Sequence, residues 1–355
     1  MVADMTGKSY SSADEALEPA IARAFAAACV LGTAPSAVMA VQSPRLGGSA
    51  VFAQNPGDAA RPFRIASVTK VFVAAAIHRL CEQQRLRLGM TLDQVAEPAM
   101  VAVLRQGGYA TGDITVAQLL SHTSGIFDHT AWPGYAEAIR AEPQRRWRAC
   151  EQVEIAARHG QPYGQPGESY AYSDTGFVLL GAIIERVTGT DLGASLRDLL
   201  RIDALGMADS WWEMFEAPRG GPLLPQYLDA EDMSAFDPSF DLFGGGGMVS
   251  TVSDLNRFFQ ALMAGDVLRP QTLLAALVTP ASARSAATPW RTHSYLLSSM
   301  QLGNRFCLGH TGFWGTGVAV LPEAQACVSV SLNRAGVEAM TALRQMLGEI
   351  VDLLA

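Results

Sequence analysis

Hydrophobic and polar positions change period several times along the 355 residues, and those changes divide the chain. Ser12 and Glu15 have the spacing of a capping box, and the helical pattern after them runs to about Cys29, with Pro19 near its start. "SAVMAVQ" and "SAVFAQ" alternate as strands do, around the turn "SPRLGG". "VFVAAAIHRLCEQQ" then continues without a breaker and predicts a helix. From about residue 85 to 242 the pattern is helical and loop-rich, with "VAQLLSH" and "GFVLLGAIIERVTG" as its clearest segments; Gly189 closes the second. After "FGGGGM" a helix begins near Ser253 and Asp254. The chain then returns to strands. "SYLLSSMQL" and "RFCLG" flank Gly303-Asn304, a hairpin signal, and "TGVAVL" and "CVSVSLN" flank "PEAQA". Met340, Leu343, Leu347, Ile350 and Leu354 form a stripe on a last helix, spaced to lie on a sheet.

This order predicts an α+β fold, in which an antiparallel sheet built from both ends of the chain is flanked by helices. A mostly helical domain is inserted between the ends. The expected division is 1–80 with 243–355 for the sheet domain and 81–242 for the helical one, with an active site at their interface. No internal repeat interrupts that reading.

Composition narrows the function classes. The chain is 49% hydrophobic and 17% charged with a net charge of −8, and its arginines are scattered, so neither a nucleic-acid partner nor a polybasic membrane surface is indicated. No run of apolar residues is long enough to span a bilayer. Cys29, Cys81, Cys150, Cys307 and Cys327 are far apart and odd in number, which fits small buried side chains and not a disulfide framework or a zinc knuckle. The first 20 residues lack the layout of a signal peptide, so the sequence reads as cytoplasmic. Oligomeric state leaves no trace in it.

One charge is out of place. Of 26 basic residues only Lys8 and Lys70 are lysine, and Lys70 ends the stretch "FRIASVTK", three residues after Ser67. Arginine stays charged in any protein site, whereas lysine can lose its proton when buried or crowded by charge. Ser67 and Lys70 are one turn apart on a predicted helix, close enough to touch. A lone S-x-x-K is a weak signal. Two further stretches strengthen it: "YAYSDTGF" sets Tyr172 and Asp174 two apart at a loop-to-helix junction, and "GHTGFWGTG" sets His310, Thr311 and Gly312 before a predicted strand.

With these three motifs in this order, the chain resembles the serine β-lactamase and penicillin-binding family, in its class C and DD-peptidase-like branch. "LLSHTSGI", "PGESYAYSDTGFVLLGAIIE" and "GGMVSTVSDLNRF" match as well, so the likeness runs from about Ser36 to the C-terminus. The resemblance implies Ser67 as nucleophile at a helix N-terminus, and Lys70 and Tyr172 as the two candidates for its base. A cationic Lys70 is expected to lower the Tyr172 pKa, so that a partly phenolate Tyr172 can take the Ser67 proton. It implies an oxyanion hole from the backbone N–H groups of Ser67 and Phe313, with Gly312 allowing close approach to substrate. His310 completes the catalytic set, and Asp174, Thr311 and Gly312 are the expected substrate contacts. Neither metal nor organic cofactor is implied.

Two departures bear on substrate. His310 stands where β-lactamases have the lysine of Lys-Thr-Gly, as in some DD-peptidases, D-aminopeptidases and esterases, and a neutral histidine gives no fixed charge for a carboxylate. Asp174 stands where Tyr-x-Asn is usual; it only accepts hydrogen bonds and brings a negative charge near Lys70. Both favour a DD-peptidase- or D-aminopeptidase-like amidase acting on a small molecule or short peptide, with a free amine on the substrate as the expectation from Asp174, ahead of a carboxylesterase and then a β-lactamase. An acyl transferase would use the same residues. A catalytically inactive binding protein on the same scaffold is opposed by the intact Ser67, Lys70 and Tyr172. His122 is expected to order its loop, the glycines at 244–247 to allow close packing beside the site, and Trp132, Tyr135 and Trp314 either to line an acyl pocket or to be ordinary packed aromatics.

Overall fold

Alternation in the two N-terminal strand segments produces β1 (Val38–Ser43) and β2 (Gly48–Ala53), a hairpin in register from Val38 opposite Ala53 to Ser43 opposite Gly48. The structure is a computed structural model, described here over residues 16–284 and 291–355. Five strands from the far end of the chain complete the sheet: β3 (Arg291–His293), β4 (Ser298–Leu302), β5 (Arg305–Gly312), β6 (Thr316–Leu321) and β7 (Ala326–Ser331). Their order is β2-β1-β7-β6-β5-β4-β3, with every neighbouring pair antiparallel. The ends of the chain meet where β1 pairs with β7, Ala40 opposite Ser329.

Five helices build the two cores: α1 (Leu17–Leu31), α2 (Thr69–Glu82), α3 (Asp174–Thr188), α4 (Val252–Ala264) and α5 (Val337–Leu354). Successive strand residues point to opposite faces, so each face of the sheet has its own core. Met39, Val41, Ala319, Val328 and Val330 face α1 and α5, where Leu343, Leu347, Ile350 and Leu354 of the predicted stripe are buried. Val38, Ala40, Val318 and Val320 face the other way, into a core shared with α2, α3 and α4. Helix α2 is buried from Thr69 through Leu80 apart from Arg79, as expected of a helix that is apolar all round. Its Phe72 stacks on Phe258 of α4 at 3.8 Å. Asn256 of α4 ties the chain's two ends together, donating to the Ala40 carbonyl and accepting from Ser329 Oγ.

Several boundaries depart from the sequence pattern. Helix α1 continues two residues beyond Cys29; the Ser12–Glu15 capping box lies outside the described residues. Only the second half of "SYLLSSMQL" is strand, because Ser294 Oγ accepts from the Leu296 and Leu297 N–H groups and holds a turn ahead of Ser298. The stretch 85–242, read as helices and loops, also holds two-residue strands at Trp211–Trp212, Tyr227–Leu228 and Glu231–Asp232. They are too short to show a period. All five cysteines are free: Cys29, Cys307 and Cys327 are buried, Cys81 and Cys150 half-buried. Among the described residues no helix is long and apolar enough to cross a membrane.

Candidate active site

Ser67 lies in a single 3-10 turn, Ala66–Val68, that runs directly into α2, so its position at a helix start is as expected although the turn is not α-helical. Ala66 before it is buried in the left-handed region at φ +47, which costs a non-glycine residue about 1 kcal/mol. Lys70 is 1% exposed. Its Nζ donates to Ser67 Oγ at 3.0 Å and to the Gly245 carbonyl at 2.5 Å, and forms an ion pair with the Asp174 carboxylate. Burial alone would pull the Lys70 ammonium toward deprotonation, but Asp174 and Tyr172 outweigh it and hold Lys70 above its ordinary value.

Tyr172 and Asp174 flank Ser173, the N-cap of α3, whose Oγ accepts from the Gly176 N–H. Tyr172 Oη is 3.1 Å from Ser67 Oγ. Here the structure corrects the expected electrostatics. Burial pushes the Tyr172 phenol up, Lys70 pulls it down, Asp174 pushes it up again, and the net direction is upward. The lowering by Lys70 is present and is outweighed.

The third motif closes the site from the sheet. His310, Thr311 and Gly312 are the last residues of β5, where the sequence pattern had ended the strand before them. His310 Nδ1 donates to the Thr311 carbonyl at 2.7 Å, which leaves Nε2 to accept from Arg291 Nη2 at 3.1 Å. Burial, and then the Arg291 and Lys70 charges, hold His310 well below the ordinary histidine range, so it is neutral. Gly312 is needed for packing within the chain itself. A Cβ there would fall 2.5 Å from the Ile65 carbonyl oxygen, so the glycine admits the segment that carries Ser67. The next residue along the chain, Phe313, is 53% exposed.

The tetraglycine run packs as predicted. Gly244 has φ +110 and a Cβ there would lie 2.6 Å from the Phe177 carbonyl oxygen of α3, while Gly245 supplies the carbonyl that Lys70 binds. Asp241 lies against Gly246; burial and the neighbouring Asp174 push its carboxyl up to about 7. His122 is buried and stacks on the Tyr172 ring at 4.3 Å. Of the three aromatics, Tyr135 and Trp314 are buried, Trp314 against Ala66 and Tyr135 donating to the Phe240 carbonyl, and Trp132 stacks on His159. Arg291 was missed by the sequence reading. Its Nη1 donates to Thr311 Oγ1 at 3.1 Å and its Nε to Ser298 Oγ at 3.0 Å. It sits on β3, two strands from β5, and "RTH" carries no strand alternation that could have placed it there.

The Beta-lactamase family profile matches residues 22–349. The chain belongs to the β-lactamase family. Its fold is the β-lactamase/transpeptidase-like one: a D-stereospecific amidohydrolase from Streptomyces sp. superposes with a TM-score of 0.80 at 26% identity, covering 91% of this chain and 97% of that one. Among curated β-lactamase-family relatives, penicillin-binding protein 4* of Bacillus subtilis (strain 168) is 26% identical over 252 residues, 65% of this chain and 49% of its own length. The esterase EstB of Burkholderia gladioli is 28% identical over 244 residues, 59% of each. The chain thus spans about half the length of the curated relatives it matches. At the level these similarities support, it is a β-lactamase-family member of the serine hydrolase superfamily.

Proposed function

We propose that the chain cleaves an amide or peptide bond through an acyl-enzyme on Ser67, as a DD-peptidase- or D-aminopeptidase-like amidase. The observation that carries this reading is Ser67 Oγ held 3.0 Å from Lys70 Nζ and 3.1 Å from Tyr172 Oη. Because Asp174 keeps Lys70 an ammonium, the proton acceptor favoured here is Tyr172 in its phenolate form, a minor population maintained by the Lys70 charge. Ser67 Oγ bonds to the substrate carbonyl carbon as its proton passes to Tyr172 Oη. The oxyanion is received by the Ser67 and Phe313 N–H groups. Tyr172 then returns the proton to the leaving nitrogen as the C–N bond breaks. Water, deprotonated by the same phenolate, attacks the acyl carbon; Tyr172 then returns that proton to Ser67 Oγ as the ester C–O bond breaks, which releases the acid and restores both residues.

The cleft is taken to lie between the sheet domain (1–80 and 243–355) and the helical domain (81–242). Thr311 and Arg291 would hold a carboxylate of the substrate: Arg291 restores, from β3, the fixed charge that a neutral His310 does not provide. Asp174 is occupied in part by Lys70, and the remainder of its carboxylate is the proposed contact for a free amine. Carboxylesterase activity is the second reading, supported by the similarity to the esterase EstB.

The test is a side-by-side hydrolysis assay of D- and L-alanyl p-nitroanilides, a short-chain p-nitrophenyl ester and a chromogenic cephalosporin, with Ser67→Ala as control. Serine-dependent cleavage of the D-anilide is expected. Cleavage of the ester alone would make the protein an esterase, and of the cephalosporin alone a β-lactamase. Product analysis with an added amine separates hydrolysis from acyl transfer.

A further inference from the structure

We propose that His122 is a positioning residue for Tyr172, setting the phenol at its working distance from Ser67; the inference rests on the acyl-enzyme reading above. His122 brackets Tyr172 along the backbone. Its carbonyl accepts from the Ala171 N–H at 2.8 Å, and its ring Nδ1 accepts from the Ser173 N–H at 3.2 Å. Between those two anchors its ring lies on the phenol ring, with centroids 4.3 Å apart and planes 26° apart. One residue therefore fixes the tyrosine before it, behind it and across its face.

His122 is itself held rigidly. Phe177 and His293 each lie 5.1 Å from its ring, and its N–H donates to the Leu119 carbonyl. It occupies the left-handed region at φ +55, so the loop carries local strain to put the ring there. An acceptor at Nδ1 requires the neutral ring protonated at Nε2, and burial together with the Lys70 and Arg291 charges keeps the ring neutral. The same side chain neither touches Ser67 nor carries a charge. Its effect on chemistry has to pass through Tyr172.

The experiment is a double-mutant cycle read by the rate at which a fluorophosphonate probe labels Ser67, with melting temperatures measured alongside. His122→Ala is expected to slow labelling by about 10²-fold, the scale of an ångström's misplacement of a reacting group, while probe affinity stays as in wild type. In a Tyr172→Phe background the same substitution should cause no further slowing, because the group it positions is gone. His122→Asn keeps an acceptor for the Ser173 N–H and tolerates a positive φ, and should recover part of the rate; it serves as the readout if His122→Ala does not fold. Equal slowing in both backgrounds overturns the inference and leaves the acyl-enzyme reading intact. Wild-type labelling by Tyr172→Phe alone, or labelling that survives Ser67→Ala, removes that reading and the inference with it.

Discussion

Lys70 occupies a space that a guanidinium does not fit. Its buried ammonium meets Ser67, Gly245 and Asp174 at once, and a planar five-donor fork cannot reproduce those three directions. Lys70→Arg is therefore expected to lower acylation by at least about 10²-fold with charge preserved, measured as fluorophosphonate labelling of Ser67; near-normal labelling would sink this account. Asp174→Asn tests the neighbour. It removes the Lys70 counter-ion, and so should slow all substrates, and it should slow amine-bearing anilides more than neutral analogues, by about tenfold for one lost charged contact. Equal slowing of both would assign Asp174 to Lys70 alone. Lys70 and Tyr172, which touch Ser67, were legible because Lys70 is one turn from Ser67 and Tyr172, like His310, stands in a short stretch that resembles a known family. Arg291 was not. It reaches Thr311 across the intervening strand β4, and pairing across strands leaves no fixed spacing in sequence.

At the scale of elements, the site depends on one sheet strand pressing against one helix start. Gly312 is where they meet, and Gly312→Ala must either move β5 or shift Ile65, with a Cβ otherwise 2.5 Å from a carbonyl oxygen. A loss of about 1–3 kcal/mol in stability is expected, with a larger relative loss of kcat than rise in KM as Phe313 moves from the Ser67 turn. Denaturant unfolding and steady-state kinetics read the two effects separately, and an unchanged kcat would show that the oxyanion donors are elsewhere. The hairpins around Gly303-Asn304 and "PEAQA" could be read from sequence because alternation on both sides agreed with a turn between them. The start of β4 could not, since Leu296 and Leu297 look like strand residues while a serine side chain ahead of them holds the backbone in a turn.

Across the whole molecule, charge near the site makes stability depend on pH. Asp241 titrates at about 7 in the folded chain against 3.8 for the ordinary carboxyl. Between those values the folded protein keeps a proton on Asp241 that the unfolded chain has released, so the contribution of this carboxyl to stability falls as pH rises through the window and levels off above about 7. Asp241→Asn should be as stable as wild type near the lower bound and more stable, by about 1–2 kcal/mol, on the alkaline side. Chemical denaturation at both ends of the window decides it; a constant difference would place the effect in packing.

The pairing of β1 with β7 also governs how the chain comes into being. A hairpin formed by residues 38–53 finds its neighbour only in residues 326–331, so a nascent chain leaving the ribosome carries an open strand edge until more than 270 further residues have been made. Loop closure on that scale is slow, and the waiting edge is a template for joining other chains. Premature termination anywhere before β7 would yield not a weakened fold but a protein with an unfinished sheet, and a natural client for chaperones.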